Sequence, residues 1–155
     1  MNAIAELRRR LDNMIRSGTI AEVDHGDPAQ GRPARCRVRT GNVTTGWLPF
    51  FTVRAGSTNE WNPVSVGEQC TILSPSGDLA QGQVLAGLYS NANPACSNDP
   101  DAHRTQWANA DFVEHNAETG DYTLKLTGHV QIDAASLNIN CSGAIKLNGA
   151  TIDLN

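Results

Sequence analysis

The sequence predicts an all-β protein with one short N-terminal helix. Two observations carry this. Between residues 18 and 89, short alternating runs are interrupted every few positions by Gly, Pro or Asn. From residue 122 onward, apolar and polar residues alternate strictly, in bursts that begin at 122, 130, 137, 145 and 152. Composition agrees: 14 glycines and 5% aromatics in 155 residues suit a turn-rich β protein better than a helical bundle.

Charge and cysteine usage exclude several functions. Twelve Lys and Arg against sixteen Asp and Glu leave a formal net charge of -4, which gives no general attraction to nucleic acid or anionic membrane, only local basic faces. Cys36, Cys70, Cys96 and Cys141 are scattered, with no C-x-x-C pair. A zinc knuckle, a redox motif or a disulfide framework is therefore not expected, and the thiols read as reduced in a chain that folds in a cytoplasm. No window approaches a membrane-spanning length of apolar residues, and no leader pattern opens the sequence, so export by a signal of its own is not expected.

Residues 1–16 form the helical section. Ile4, Leu7, Leu11 and Met14 are spaced 3, 4 and 3, a heptad seam with Ile15 beside it, while Arg8, Arg9, Arg10 and Asp12 fall away from it. Two readings stay open: a short coiled-coil contact with sister copies, or an amphipathic helix lying on its own domain. Two heptads do not separate them. Ser17-Gly18 is expected to stop the helix.

Residues 17–89 form the barrel section. Strand-like runs occur at 19–23, 35–39, 43–51, 64–73 and 82–88, the third containing Trp47-Leu48-Pro49-Phe50-Phe51, where the proline favours an edge or bulge. Five short strands in about 70 residues predict a small closed barrel of the oligonucleotide/oligosaccharide-binding (OB) type. Residues 90–110, rich in Asn, Asp, Ser and Pro with no visible periodicity, are expected to be a linker.

Residues 111–155 predict a repetitive spike. The inward residues are Leu124, Leu126, Val130, Ile132, Leu137, Ile139, Ile145, Leu147, Ile152 and Leu154, with Tyr122 opening the series and small or turn residues at the joins. One short strand per repeat with one apolar face is the pattern of a β-solenoid or β-prism. A single flat row of such strands leaves its inner face half wet and its edges open. Burial worth about 1.5–3 kcal/mol per apolar side chain then does not offset backbone ordering at about 1–2 kcal/mol per residue. Three chains wrapped about an axis bury every inner face and pair the edges. The expected fold is thus an OB-type five-stranded barrel followed by a trimeric intertwined β-helix or β-prism. The competing reading is one extra antiparallel sheet folded back on the barrel.

Together, the N-terminal helix, the stretch Val66-Gly67-Glu68-Gln69-Cys70-Thr71-Ile72-Leu73-Ser74-Pro75-Ser76-Gly77-Asp78, the following Gly82-Gln83-Val84-Leu85 and the alternating tail resemble the baseplate assembly protein V family. These are the central tail spikes of contractile-tailed phages, and tail-like bacteriocins and the type VI secretion spike are similar machines. The specific part spans residues 35–90 and includes Gly46-Trp47-Leu48-Pro49. The resemblance implies a homotrimer whose barrels seat among baseplate hub proteins and whose β-helix is pushed through the target cell's outer membrane when the sheath contracts. It implies manufacture in the bacterial cytoplasm and assembly into the baseplate of a virion or tail-like particle.

One departure is plain. Many family members carry a C-terminal His-x-His that holds an iron ion at the trimer tip, but here the last histidine is His129, placed outward by alternation beside Val130. The iron site is therefore not carried over and no cofactor is expected. Either the tip is removed or a separate tip-capping protein covers the blunt end.

No enzyme is expected. His25, His103, His115 and His129 are dispersed; Asp24-His25 with Asp27 reads as a turn, and Glu114, Glu118 and Asp121 as loop charges beside Gly120. The alternative is an OB-fold module for single-stranded nucleic acid, using Arg35, Arg37 and Arg39 on one strand face with Trp47 as a stacking platform. A docking face for acidic hub partners, or simple solvation, explains those arginines better, and no stable nucleic-acid partner is expected.

Overall fold

A computed structural model describes residues 2–153, which divide into two compact units, 2–98 and 99–153. In the first unit, α1 (Ala3–Met14) is followed directly by β1 (Ile15–Asp24). Asn2 caps α1 by accepting the Ile4 amide at 3.1 Å. Glu6 accepts both Arg9 and Arg10 at 2.8 Å, and these guanidinium hydrogen bonds bring its carboxyl down to about 2.

The helix thus ends two residues earlier than predicted, and Ser17-Gly18 does not stop it. Ile15 is already extended (φ -135°, ψ 118°), and Ser17 and Gly18 pair with Thr71 and Cys70 across the sheet. Gly18 has a packing reason instead: a Cβ there would fall 2.9 Å from the Arg39 carbonyl oxygen and collide with Val38. What reads as a helix terminator is a point of close strand approach.

Four more strands complete the sheet: β2 (Arg35–Thr40), β3 (Val43–Thr44), β4 (Gln69–Leu73) and β5 (Gln83–Leu88), all antiparallel in the order β3-β2-β1-β4-β5. The segment around Pro49 links its two edges. Leu48 exchanges both backbone hydrogen bonds with Cys36 of β2, at 2.8 and 2.9 Å. Immediately after it, Pro49 accepts the Val84 amide of β5 and Phe51 donates to the Val84 carbonyl, each at 2.9 Å. Proline, lacking an N–H, sits where only its carbonyl is needed.

Ile20, Cys36, Val38, Leu48, Val64, Cys70, Ile72 and Val84 are buried inside, with Val23, Phe50, Leu79 and Ala86 packed around them. The predicted long strand over 64–73 is shorter than expected. Val64 reaches the core from a loop, Gly67 turns the chain at φ +94°, and pairing begins at Gln69.

The second unit opens on an antiparallel meander, β6 (Ala102–Gln106), β7 (Phe112–Asn116) and β8 (Tyr122–Lys125). β6 lies inside the stretch expected to be a linker. Ala-His-Arg-Thr-Gln carries no apolar alternation to announce it; its pairing is fixed by its neighbour. Arg104 bonds Glu114 at 2.7 Å and lies 4.1 Å over the Phe112 ring. The β6–β7 turn is tied by Asp111, which accepts Asn109 at 2.8 Å and Thr127 through both its amide and hydroxyl at 3.0 Å. Burial opposes ionisation of Asp111, but these hydrogen bonds outweigh it and hold its carboxyl below the ordinary value.

Of the five tail strands expected, the single chain forms the first, β8. No strand occurs at 126–153 among the described residues. A strand needs a neighbour for its amides and carbonyls, and the turns between these bursts leave each without one in its own chain.

Candidate functional site

Three exposed surfaces correspond to the residues singled out in the sequence. The first is the helix seam. Ile4 is 76% exposed, Leu7 60% and Leu11 58%, with Met14 and Ile15 also open. The helix rests on its own unit through the other side. Gly77 lies against the Arg10 backbone, Asn13 is buried and accepts Arg16 at 2.9 Å, and the Met14 carbonyl accepts the Ser74 amide at 2.8 Å. The helix therefore lies on its own unit, but by its polar flank, and its apolar seam is exposed in the single chain.

The second surface is the arginine face of β2. Register places Arg35 opposite Asp24 and Arg37 opposite Glu22 on β1. Arg37 bonds Glu22 at 2.8 Å and the Thr45 carbonyl at 2.9 Å, and its guanidinium lies 5.9 Å from the centre of the Trp47 ring. Charge is matched across the strands, and Trp47 is already engaged as a cation–π partner. Phe50 packs on the core while Phe51 is exposed. A continuous basic groove lined by free aromatic platforms, which single-stranded nucleic acid requires, is not formed by these residues.

The third surface is the tail. Leu124, Leu126, Val130, Ile132, Leu137, Ile139, Ile145, Leu147 and Ile152 are all exposed in the single chain, Ile132 at 69% and Leu147 at 65%; Leu154 lies outside the described residues. A soluble chain seldom shows so many large apolar side chains in one stretch unless a partner covers them.

The groups weighed as chemistry are engaged in structure. Asp24 accepts the Gly26 amide at 2.9 Å and pairs with Arg32, and that backbone bond, seconded by the arginine, lowers its carboxyl pKa. Asp27 accepts the Ala29 amide at 3.1 Å, capping a single 3₁₀ turn. His25 meets Trp61 edge-on at 6.1 Å, beside a cleft of about 390 Å³. Glu114 is bound to Arg104, while Glu118 and Asp121 belong to the β7–β8 turn. Among the described residues, no group of three or more His, Cys, Asp and Glu is placed to hold a metal, and no helix is long and apolar enough to cross a membrane. Residues 130–155 contain no histidine.

The first unit is thus a five-stranded antiparallel sheet closed through a proline segment, carrying a helix with its seam turned outward. Residues 16–89, just under half of the chain, match the family described as the Type VI secretion system/phage-baseplate injector OB domain. It is similar to the spike protein of Escherichia phage P2, with 41% identity over 127 residues, 80% of this chain. The match spans 57% of that relative's length.

Proposed function

We propose that this chain is the central spike of a contractile tail baseplate: a homotrimer, without enzymatic activity, that docks among hub proteins and is driven through the target cell's outer membrane. The observation that carries this is the tail, an alternating apolar row left open to solvent in the single chain. Three copies about an axis give each row a partner and each strand two neighbours. The likeness to the P2 spike protein supports the same reading. The alternate positions, Thr123, Lys125, Gln131, Asp133, Asn138, Asn140, Lys146 and Asn148, give the needle a hydrated exterior. Such an exterior gains nothing by staying in a bilayer, so force from the contracting sheath drives the crossing. The protein is made in the bacterial cytoplasm and carried in the baseplate of a virion or tail-like particle.

Sedimentation tests the reading. The full chain is expected to run as a trimer, and a chain ending at residue 98 as a soluble folded unit that no longer holds a stable trimer. An undiminished trimer after that deletion would move the contact to the barrel or helix. Leakage of dye-loaded liposomes at low protein concentration, or digestion of isolated peptidoglycan, would overturn passive penetration.

A further inference from the structure

The meander of the second unit sets two histidines against each other. β6 and β7 pair antiparallel with His103 directly opposite His115, and β8 continues the row with Tyr122 opposite His115. Directly opposed residues share a face of the sheet, with Cβ atoms about 4.5–5.5 Å apart. Both histidines are exposed, and neither imidazole is engaged by another described group. The ladder rungs around them are fixed. On one side Arg104 bonds Glu114 at 2.7 Å; on the other Asn116 donates to Asp99 at 3.0 Å. Two imidazoles are thus held side by side on paired strands, not carried on a loop.

That arrangement suits one kind of ligand. Neutral imidazole nitrogen binds borderline divalent transition ions at about 2.0–2.1 Å. Directly opposed strand positions are close enough for the two imidazoles to turn about their side-chain bonds toward one ion. Calcium and magnesium, which take oxygen ligands, are not served by this pair. The neighbouring cation Arg104 and its partner Glu114 are one register position away and so on the opposite face of the sheet. No fixed positive charge therefore stands in the histidine row itself.

We propose that His103 and His115 form a two-imidazole site for a borderline divalent ion of the Ni²⁺, Cu²⁺ and Zn²⁺ class, with water completing the coordination. The site is complete within one chain and does not rest on the spike reading. It is separate from any ion held at a spike tip, since its ligands belong to the meander.

The test is equilibrium dialysis of the untagged full chain against Ni²⁺, then Cu²⁺ and Zn²⁺, with molecular mass measured on the same sample. One ion per chain is expected, with affinity falling at least tenfold in both His103→Gln and His115→Gln and unchanged in His25→Gln and His129→Gln. The bound ion should also raise the unfolding temperature of the parent chain and of neither pair variant. Undiminished binding by either pair variant, no binding of any of the three ions, or one ion per three chains would each overturn the proposal.

Discussion

Gly77 is pressed against the backbone of Arg10. It has a left-handed φ of +71°, and a Cβ there would lie 2.6 Å from the Arg10 Cα. This contact docks α1 by its polar flank. Gly77→Ala adds a methyl where neither the backbone angle nor the space accepts it. The expected loss is about 1–3 kcal/mol in chemical denaturation, with helical circular dichroism falling before the barrel melts.

The outward seam has a separate consequence. Leu7→Asp and Leu11→Asp alter side chains that are mostly exposed in their own unit, so the folding stability of that unit should move by no more than about 0.5 kcal/mol. Self-association should weaken, because three carboxylates would be brought together wherever the helices meet. Analytical ultracentrifugation of the double variant at several concentrations reads this directly. Unchanged association would assign the seam to a different partner.

For the arginine face, Arg37→Ala removes a guanidinium that joins Glu22, the Thr45 carbonyl and the Trp47 ring. A stability loss of about 1–2 kcal/mol is expected, together with a shift in Trp47 emission. Binding to single-stranded DNA, measured by fluorescence anisotropy, should be equally weak before and after.

Much of this fold was legible because its signals were local. Alternation in 35–39 put the three arginines on one strand face, and in β2 Cys36 and Val38 between them are buried. Pro49 marked the edge segment. What misled were residues whose reason is tertiary. Gly18 reads as a helix stop but serves the approach of β2, and β6 is held by Arg104 reaching Glu114 and Phe112 rather than by any pattern of its own. The helix seam was visible as a spacing, yet only the contact of Gly77 with Arg10 decides which way it faces. The histidine pair was invisible as a motif because its members are twelve residues apart and meet only through strand register.

The core thiols set an alkaline limit. Burial pushes Cys36 up to about 11, helped by Cys70, and burial with Glu68 does the same to Cys70. The folded state holds these protons more tightly than the unfolded chain does. Their contribution is therefore fully present below about pH 9 and is lost as pH rises toward 11. Unfolding midpoints should fall across that window, and Cys36→Ala with Cys70→Ala should flatten the slope. In native protein at pH 8, a thiol reagent should modify exposed Cys96 while sparing Cys36 and Cys70 until denaturant is added.

The tail repeat makes a parity prediction that Cys141 can report. Leu137, Ile139 and Cys141 are alternate residues, so a strand through them turns all three to one face. In the single chain Cys141 is exposed. In a trimer that closes over Leu137 and Ile139, it is covered. Reagent access to Cys141 should therefore slow by ~10-fold or more on assembly, reopening only as fast as the spike opens locally. Ile132→Asp or Ile139→Asp sets three carboxylates near one axis, where repulsion and desolvation add. Each should lower the trimer fraction and restore Cys141 reactivity. Asp133→Ala and Lys125→Ala change the face turned to water and should do neither. The paired readout distinguishes a misplaced register from a failed assembly: a stable trimer with a fast-reacting Cys141 would mean that the 137–141 strand presents its other face inward.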